Sequence, residues 1–424
     1  MAFMTNAVIV CVTAVLVVYV PELWTKTRPI ITGGTVQQGF EPVAKLFREN
    51  FETGVEYPTG GSAFSVYYKG SKVVDIWGGY ADTEADRPWN EDTLTVVFST
   101  TKGMAALCIA MMVDRGLLDY DKTVASYWPE FAQNGKENIT VRMLINHQAG
   151  LANITDDDTL HLLGDQDALG EFLARHSPEW EPGTTLRYHA FSFGLYASQL
   201  LRRADPKHRT LGQFFKEEIA QPFGIDFHIG LPLELYHRFP RLKGASRYMW
   251  FKELITNPVF GKIMWQSLAS GLSASLKPIQ FEDYMSPERL ILEQPSVSGV
   301  GTARAIAKVY GVLANGGTTT KGQRLLSNDV IKEIIAEKRT DKSFQKPTEF
   351  PITFSLGFVK SEYKGAQRFG HSGAGGMHGL ADPQRRLSLG YVSSYSLVFL
   401  GRGDKRFEPL QEETYRCIEK LEST

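Results

Sequence analysis

The chain has 424 residues, 43% of them hydrophobic and 12% aromatic, enough for one large core or two smaller ones, which excludes an intrinsically disordered polymer. With 46 Lys and Arg against 47 Asp and Glu there is no global field to attract nucleic acid, so the expected partner is a small-molecule substrate. The three cysteines, Cys11, Cys108 and Cys417, are too scattered for a disulfide framework or a paired-ligand zinc site, and chemistry without metal or cofactor is the starting point.

No charged side chain precedes Glu22, and Ala7–Val20 is almost purely apolar. Residues 1–30 therefore read as a membrane-directed segment. No Lys or Arg stands before the apolar run and it ends in VVYVPELW, so a single uncleaved anchor is expected, with secretion or organellar import after cleavage as the alternative. Lys26 and Arg28 favour the cytosolic side. Glycosylation of Asn138-Ile139-Thr140 or Asn153-Ile154-Thr155 would favour the other, and sidedness stays open.

Residues 31–424 form the globular part. After a linker near Ile31–Gly39, Phe40–Phe51 places Val43, Leu46, Phe47 and Phe51 at helical spacing. Ser62–Tyr68 and Lys72–Trp77 are β-rich runs split by Lys69-Gly70-Ser71, the pattern of a hairpin. From Ser99 to about Asp114 the period is helical, and Met104, Met111 and Met112 read as core. Short helices continue to about Glu293. Strand signals return in Ile352–Lys360, Gln367–His371 and Leu387–Ser394, before a terminal helical run from Glu408 to Leu421. An α/β (α+β) domain follows, its sheet drawn from about 40–98 and 298–424 and interrupted by an all-α insertion over about 99–297.

Phe98-Ser99-Thr100-Thr101-Lys102 opens a helix directly after the β-prone run Leu94–Phe98. Three residues apart on a helix is one face, so the Lys102 amine can lie beside the Ser99 hydroxyl, which needs such a partner to become nucleophilic. A helix start also offers N–H groups to a developing oxyanion. By itself this four-residue pattern is better explained by a capping serine and a solvated lysine.

Its surroundings decide. FSTTKGMAALCIAMMVDRGLLDYDKTVASYWPEF, together with Ile139–Leu151 (ITVRMLINHQAGL), resembles the serine β-lactamase family, in particular class C β-lactamases, family VIII carboxylesterases and D-alanyl-D-alanine peptidases. The resemblance runs from about Phe40 to the C-terminus and implies a transpeptidase-like antiparallel sheet flanked by helices, with a catalytic domain over 31–424. It also implies a facing tyrosine, Tyr188 in Pro182–Ala190, whose phenol a neighbouring lysine ammonium would acidify so that it can relay the serine proton. The third implied motif is His371-Ser372-Gly373, where the family usually carries Lys-Thr-Gly, followed by Ala374, whose N–H would join that of Ser99 in an oxyanion hole. Ala190 stands where the family's β-lactamases have Asn. Both departures lean away from antibiotic hydrolysis toward a small ester, amide or peptide, with carboxylesterase or peptidase activity expected. The alternative is a catalytically weak scaffold or filament-forming protein on the same fold.

Three other features lead elsewhere. Gly370–Ala374 lacks the last glycine of a nucleophile elbow and the helix that must follow it. Gly299-Val300-Gly301 lacks the third glycine of a dinucleotide fingerprint and reads as a helix start capped by Thr302. The aromatic-rich stretch Tyr236–Phe281 reads as helical core, an acyl-site lining or a membrane contact.

Overall fold

A computed structural model describes residues 28–57, 59–244, 281–340, 352–395 and 404–423. The expected N-terminal anchor is corrected here: among the described residues no helix is long and apolar enough to cross a membrane. The terminal helix Glu408–Ser423 has 16 residues, short of the roughly 20 that a span needs, and carries charges throughout. The apolar stretch Ala7–Val20 lies outside the described residues, as does most of the aromatic-rich stretch Tyr236–Phe281.

The strands are β1 (Thr32–Val36), β2 (Gly61–Tyr68), β3 (Ser71–Asp82), β4 (Arg87–Pro88), β5 (Thr95–Val96), β6 (Phe227–Ile229), β7 (Gly299–Gly301), β8 (Arg339–Thr340), β9 (Thr353–Ser355), β10 (Phe358–Tyr363), β11 (Ala366–Gly373), β12 (Met377–Asp382) and β13 (Leu387–Ser393). Among the described residues they build an antiparallel main sheet ordered β1-β3-β2-β13-β12-β11-β10-β9-β8, with β4 on β3, and a small sheet β5-β7-β6. The junction of the two sequence halves is β13 against β2, Leu387 facing Tyr68 and Ser393 facing Ser62. Among the described residues of the block between the halves, the one strand is β6 and the regular elements are otherwise helical.

β13 is buried along its whole length because both sheet faces are covered. One face, with Phe64, Val66, Leu389 and Tyr391, packs on helices α1 (Glu41–Glu52) and α5 (Glu408–Ser423). The other meets α4 (Ala303–Ala314) and the helical block, including α2 (Thr101–Asp114) and α3 (Ser192–Ala204). α2 is buried on every side from Thr101 to Met112, so Met104, Met111 and Met112 are core. A helix apolar all round belongs at the centre of a large domain, and it carries Lys102 there.

Two turns are tighter than the sequence runs suggest. Lys69 and Gly70, at φ 51° and 79°, close the β2–β3 hairpin as a two-residue turn. The run Ile352–Lys360, expected as one strand, is a second hairpin: Leu356 and Gly357 also have positive φ, and the Leu356 N–H is taken by Asn146 Oδ1 at 2.7 Å. β12 and β1 were missed because Gly-rich GMHGLAD and TGGTV carry little β-propensity of their own. Thr302 does cap α4, accepting from the Ala305 N–H at 3.0 Å.

Candidate active site

Val97 is held to Gly299 by a 2.8 Å backbone bond, and Phe98–Thr100 then turns as a 3₁₀ segment before α2 begins. Ser99 thus sits on a tight turn at the helix entrance, half-buried between buried neighbours, and Phe98 carries φ +46°. A positive φ at a bulky residue is strained backbone, kept in place by Phe98's packing edge-on against Tyr284.

Lys102, fully buried, turns back along α2 so that Nζ lies 3.3 Å from Ser99 Oγ. The same nitrogen donates to the carbonyl oxygens of Ala190 at 2.6 Å and Ser296 at 2.9 Å. Burial drives its pKa well below the usual lysine range. Nζ thus contacts three oxygens at once, the two carbonyls and the Ser99 hydroxyl.

Tyr188 stands across from this pair, its ring centroid 4.9 Å from Lys102 Nζ and its hydroxyl near enough to Ser99 to feel it electrostatically. The expected acidification of the phenol is corrected: burial raises its pKa. The ring is fixed by Phe354, stacked at 6.0 Å, and by His147 at 5.0 Å.

β10 pairs with β11 only as far as Gly370, whereas β12 pairs with it to Gly373, so His371–Gly373 presents an edge not paired to β10. His371 points to the α2 side, 4% exposed. Its Nδ1 donates to the Ser372 carbonyl at 2.7 Å, Nε2 is buried without a partner, and burial lowers its pKa to about 3. At Gly373 a Cβ would stand 2.2 Å from Val97 O and 3.0 Å from Thr100 Oγ1. The absence of a side chain therefore lets β11 lie directly on the Ser99 turn. Ala374 follows at once, 9% exposed, at the start of the turn to β12. Ser372 is the residue of this motif that the structure turns away: strand alternation puts it opposite His371, exposed, with Oγ 3.0 Å from His378 Nδ1.

Residues 47–406 match the family model described as Beta-lactamase. The chain belongs to the beta-lactamase family. It is 34% identical over 342 residues to an esterase/beta-lactamase, LipL, of Mycobacterium tuberculosis, covering 78% of this chain and 76% of that one. A family VIII carboxylesterase of known structure is 35% identical and superimposes with a TM-score of 0.77, over 91% of this chain and all of the other. A penicillin-binding protein homologue from Caulobacter crescentus is 33% identical with a TM-score of 0.73 and the same coverage. This is a family of serine hydrolases, and the β-lactamase/transpeptidase-like fold expected from the motifs is the fold observed.

Several site components were not foreseen. The carbonyls of Ala190 and Ser296 that seat Lys102 are backbone groups, which leave no side-chain signature. His147 is fully buried at φ +61°, its Nδ1 accepting from the His189 N–H at 3.1 Å, and its ring lies 4.4 Å from Phe354. The only available sign was a histidine just before the Gly-terminated loop of INHQAGL.

Proposed function

We propose that this chain is an acyl-enzyme hydrolase that uses Ser99 to cleave a small, uncharged carboxylic ester. The observation that carries the reading is the Ser99–Lys102 pair, a hydroxyl 3.3 Å from a buried amine whose pKa lies well below the lysine norm. Lowering the amine pKa favours the free base, which is what a serine nucleophile requires. Ser99 Oγ attacks the ester carbonyl carbon while Lys102 Nζ takes its proton. The resulting oxyanion lies between the N–H groups of Ser99 and Ala374. Tyr188, protonated at rest, delivers a proton to the departing alkoxide as the C–O bond breaks, and is reprotonated from Lys102. Water then attacks the acyl-serine through the same groups, releasing the acid and restoring Ser99.

Two features support an ester. The neutral His371, where a lysine would carry a permanent charge, offers no cation to a carboxylate-bearing substrate. Ala190 offers only its carbonyl, already bonded to Lys102, where an Asn side chain would meet an amide. The resemblance to an esterase/beta-lactamase and a carboxylesterase points the same way.

A fluorophosphonate probe should label the wild type and leave Ser99→Ala unlabelled, and p-nitrophenyl butyrate should be turned over faster than nitrocefin. Undiminished labelling of Ser99→Ala would remove the nucleophile from the proposal; faster lactam turnover would remove the ester preference. Lys102→Met, which keeps the volume and deletes the base, should lose about 10²-fold or more in kcat/KM while melting near the wild type.

A further inference from the structure

Behind the β11–β12 turn lies a buried ion pair that the chemistry at Ser99 does not touch. Arg406 is 2% exposed and Asp404 6%. Arg406 Nε and Nη2 engage the two oxygens of Asp404 at 3.0 and 2.7 Å. Two further donors reach backbone: Nη2 bonds the Gly375 carbonyl at 2.7 Å and Nη1 the Tyr395 carbonyl at 3.1 Å. The main chain of Arg406 is pinned as well, its N–H to Asp404 Oδ1 at 2.9 Å and its carbonyl to Asn50 Nδ2 at 3.1 Å.

The turn is packed directly on this pair. A Cβ at Gly376 would sit 2.1 Å from Arg406 Nη2 and 2.2 Å from Asp404 Oδ2, and Gly376 has φ +86°. On its other side the turn is fixed by Gly373 against Val97 O, and it is closed by the 3.2 Å bond from Gly376 N to Gly373 O. Ala374 is held between these two restraints.

A buried ion pair is weak evidence for stability, since an apolar filling of equal volume often does as well. What the guanidinium fork adds is direction, because planar bidentate bonding fixes the angle of approach. We propose that Arg406, clamped by Asp404, is a positioning residue that sets the Ala374 N–H for the oxyanion. The inference rests on the acyl-enzyme reading above. Four of the five guanidinium N–H groups are bonded to protein oxygens and the side chain is buried, so Arg406 is not an anchor for a substrate carboxylate.

The test uses Arg406→Lys, which keeps the charge and loses the fork, and Asp404→Asn, which loosens the clamp, both in the full chain. Three quantities are read on p-nitrophenyl butyrate: kcat and KM, each per Ser99 titrated with fluorophosphonate, and the inhibition constant of an alkyl boronic acid that forms a tetrahedral adduct. Misplacing one oxyanion donor without removing it should lower kcat about tenfold or more in Arg406→Lys, leave KM within about twofold, and weaken the boronate by the same factor as kcat. Asp404→Asn should fall between this variant and the wild type. Wild-type kcat and boronate affinity per titrated site in either variant would overturn the proposal, because a purely structural role lowers only the number of titratable sites. If Arg406→Lys does not fold, Asp404→Asn decides by the same criterion. Failure of the wild type to label at Ser99 would instead sink the acyl-enzyme reading, and this inference with it.

Discussion

Gly373→Ala is the change most sharply constrained by the geometry. The added methyl would be placed 2.2 Å from Val97 O and 3.2 Å from the Thr100 N–H nitrogen. Carbon and oxygen rest at about 3.3 Å, so the Ser99 turn or β11 must recede by about 1 Å. Neither side yields cheaply, because Val97 is bonded to Gly299 and Gly373 is paired with Met377. A displacement of about 1 Å between nucleophile and oxyanion donor costs about 10²-fold in rate, or about 2.7 kcal/mol of transition-state stabilisation. The overpacking itself should cost about 1–3 kcal/mol of stability. The assay is kcat/KM on p-nitrophenyl butyrate per site titrated with fluorophosphonate, alongside urea unfolding. Gly164→Ala, with open space around its Cβ, is the control and should change stability by under about 0.5 kcal/mol. A Gly373→Ala enzyme with wild-type kcat/KM per titrated site would refute the claim that the strand and the nucleophile turn are in contact.

Tyr188→Phe keeps the ring packed on Phe354 and His147 and removes only the hydroxyl at Ser99, so kcat should drop about 10²-fold with KM and melting temperature nearly unchanged; a large loss of stability would make the hydroxyl structural instead. Acid should unfold the chain through its buried neutral histidines. His189 and His371 are lowered to about 3 and His378 to about 4, chiefly by burial. The unfolded chain binds protons at about 6.5 that the folded chain refuses, so this stability is complete above about pH 6.5 and lost as pH falls toward these values. Each histidine contributes a slope of up to about 1.4 kcal/mol per pH unit. Urea midpoints between pH 7 and 4.5 should show it, and His378→Gln should reduce the slope by about one proton; an unchanged slope would contradict the buried neutral state.

The region around Ser99 was legible because its signals are local. A β-prone run, a Ser-x-x-Lys at a helix start and a wholly apolar continuation specify a strand, a turn and a central helix without reference to distant residues. Tyr188 and His371 were found through motif resemblance, not through any local pattern. β1 and β12 were not read, since glycines and short polar residues make a strand only where neighbouring strands supply the hydrogen bonds. Ser372 was grouped with its neighbours by motif, and the two-residue alternation of β11 separated it from them.

What the sequence determined alone is the chemistry available: which residues carry a hydroxyl, an amine, a phenol and an imidazole, and that Ser99 and Lys102 share a helix face. Protonation was decided only by the tertiary structure. The Lys102 amine is driven below the usual lysine range because the folded core removes water from it, while carbonyls from segments 88 and 194 residues away fix its position. Tyr188 remains a phenol for the same reason, against the expectation that a charged lysine would acidify it. A side chain's identity is local, but the dielectric and the hydrogen-bond partners that set its charge come from chain segments brought together by folding.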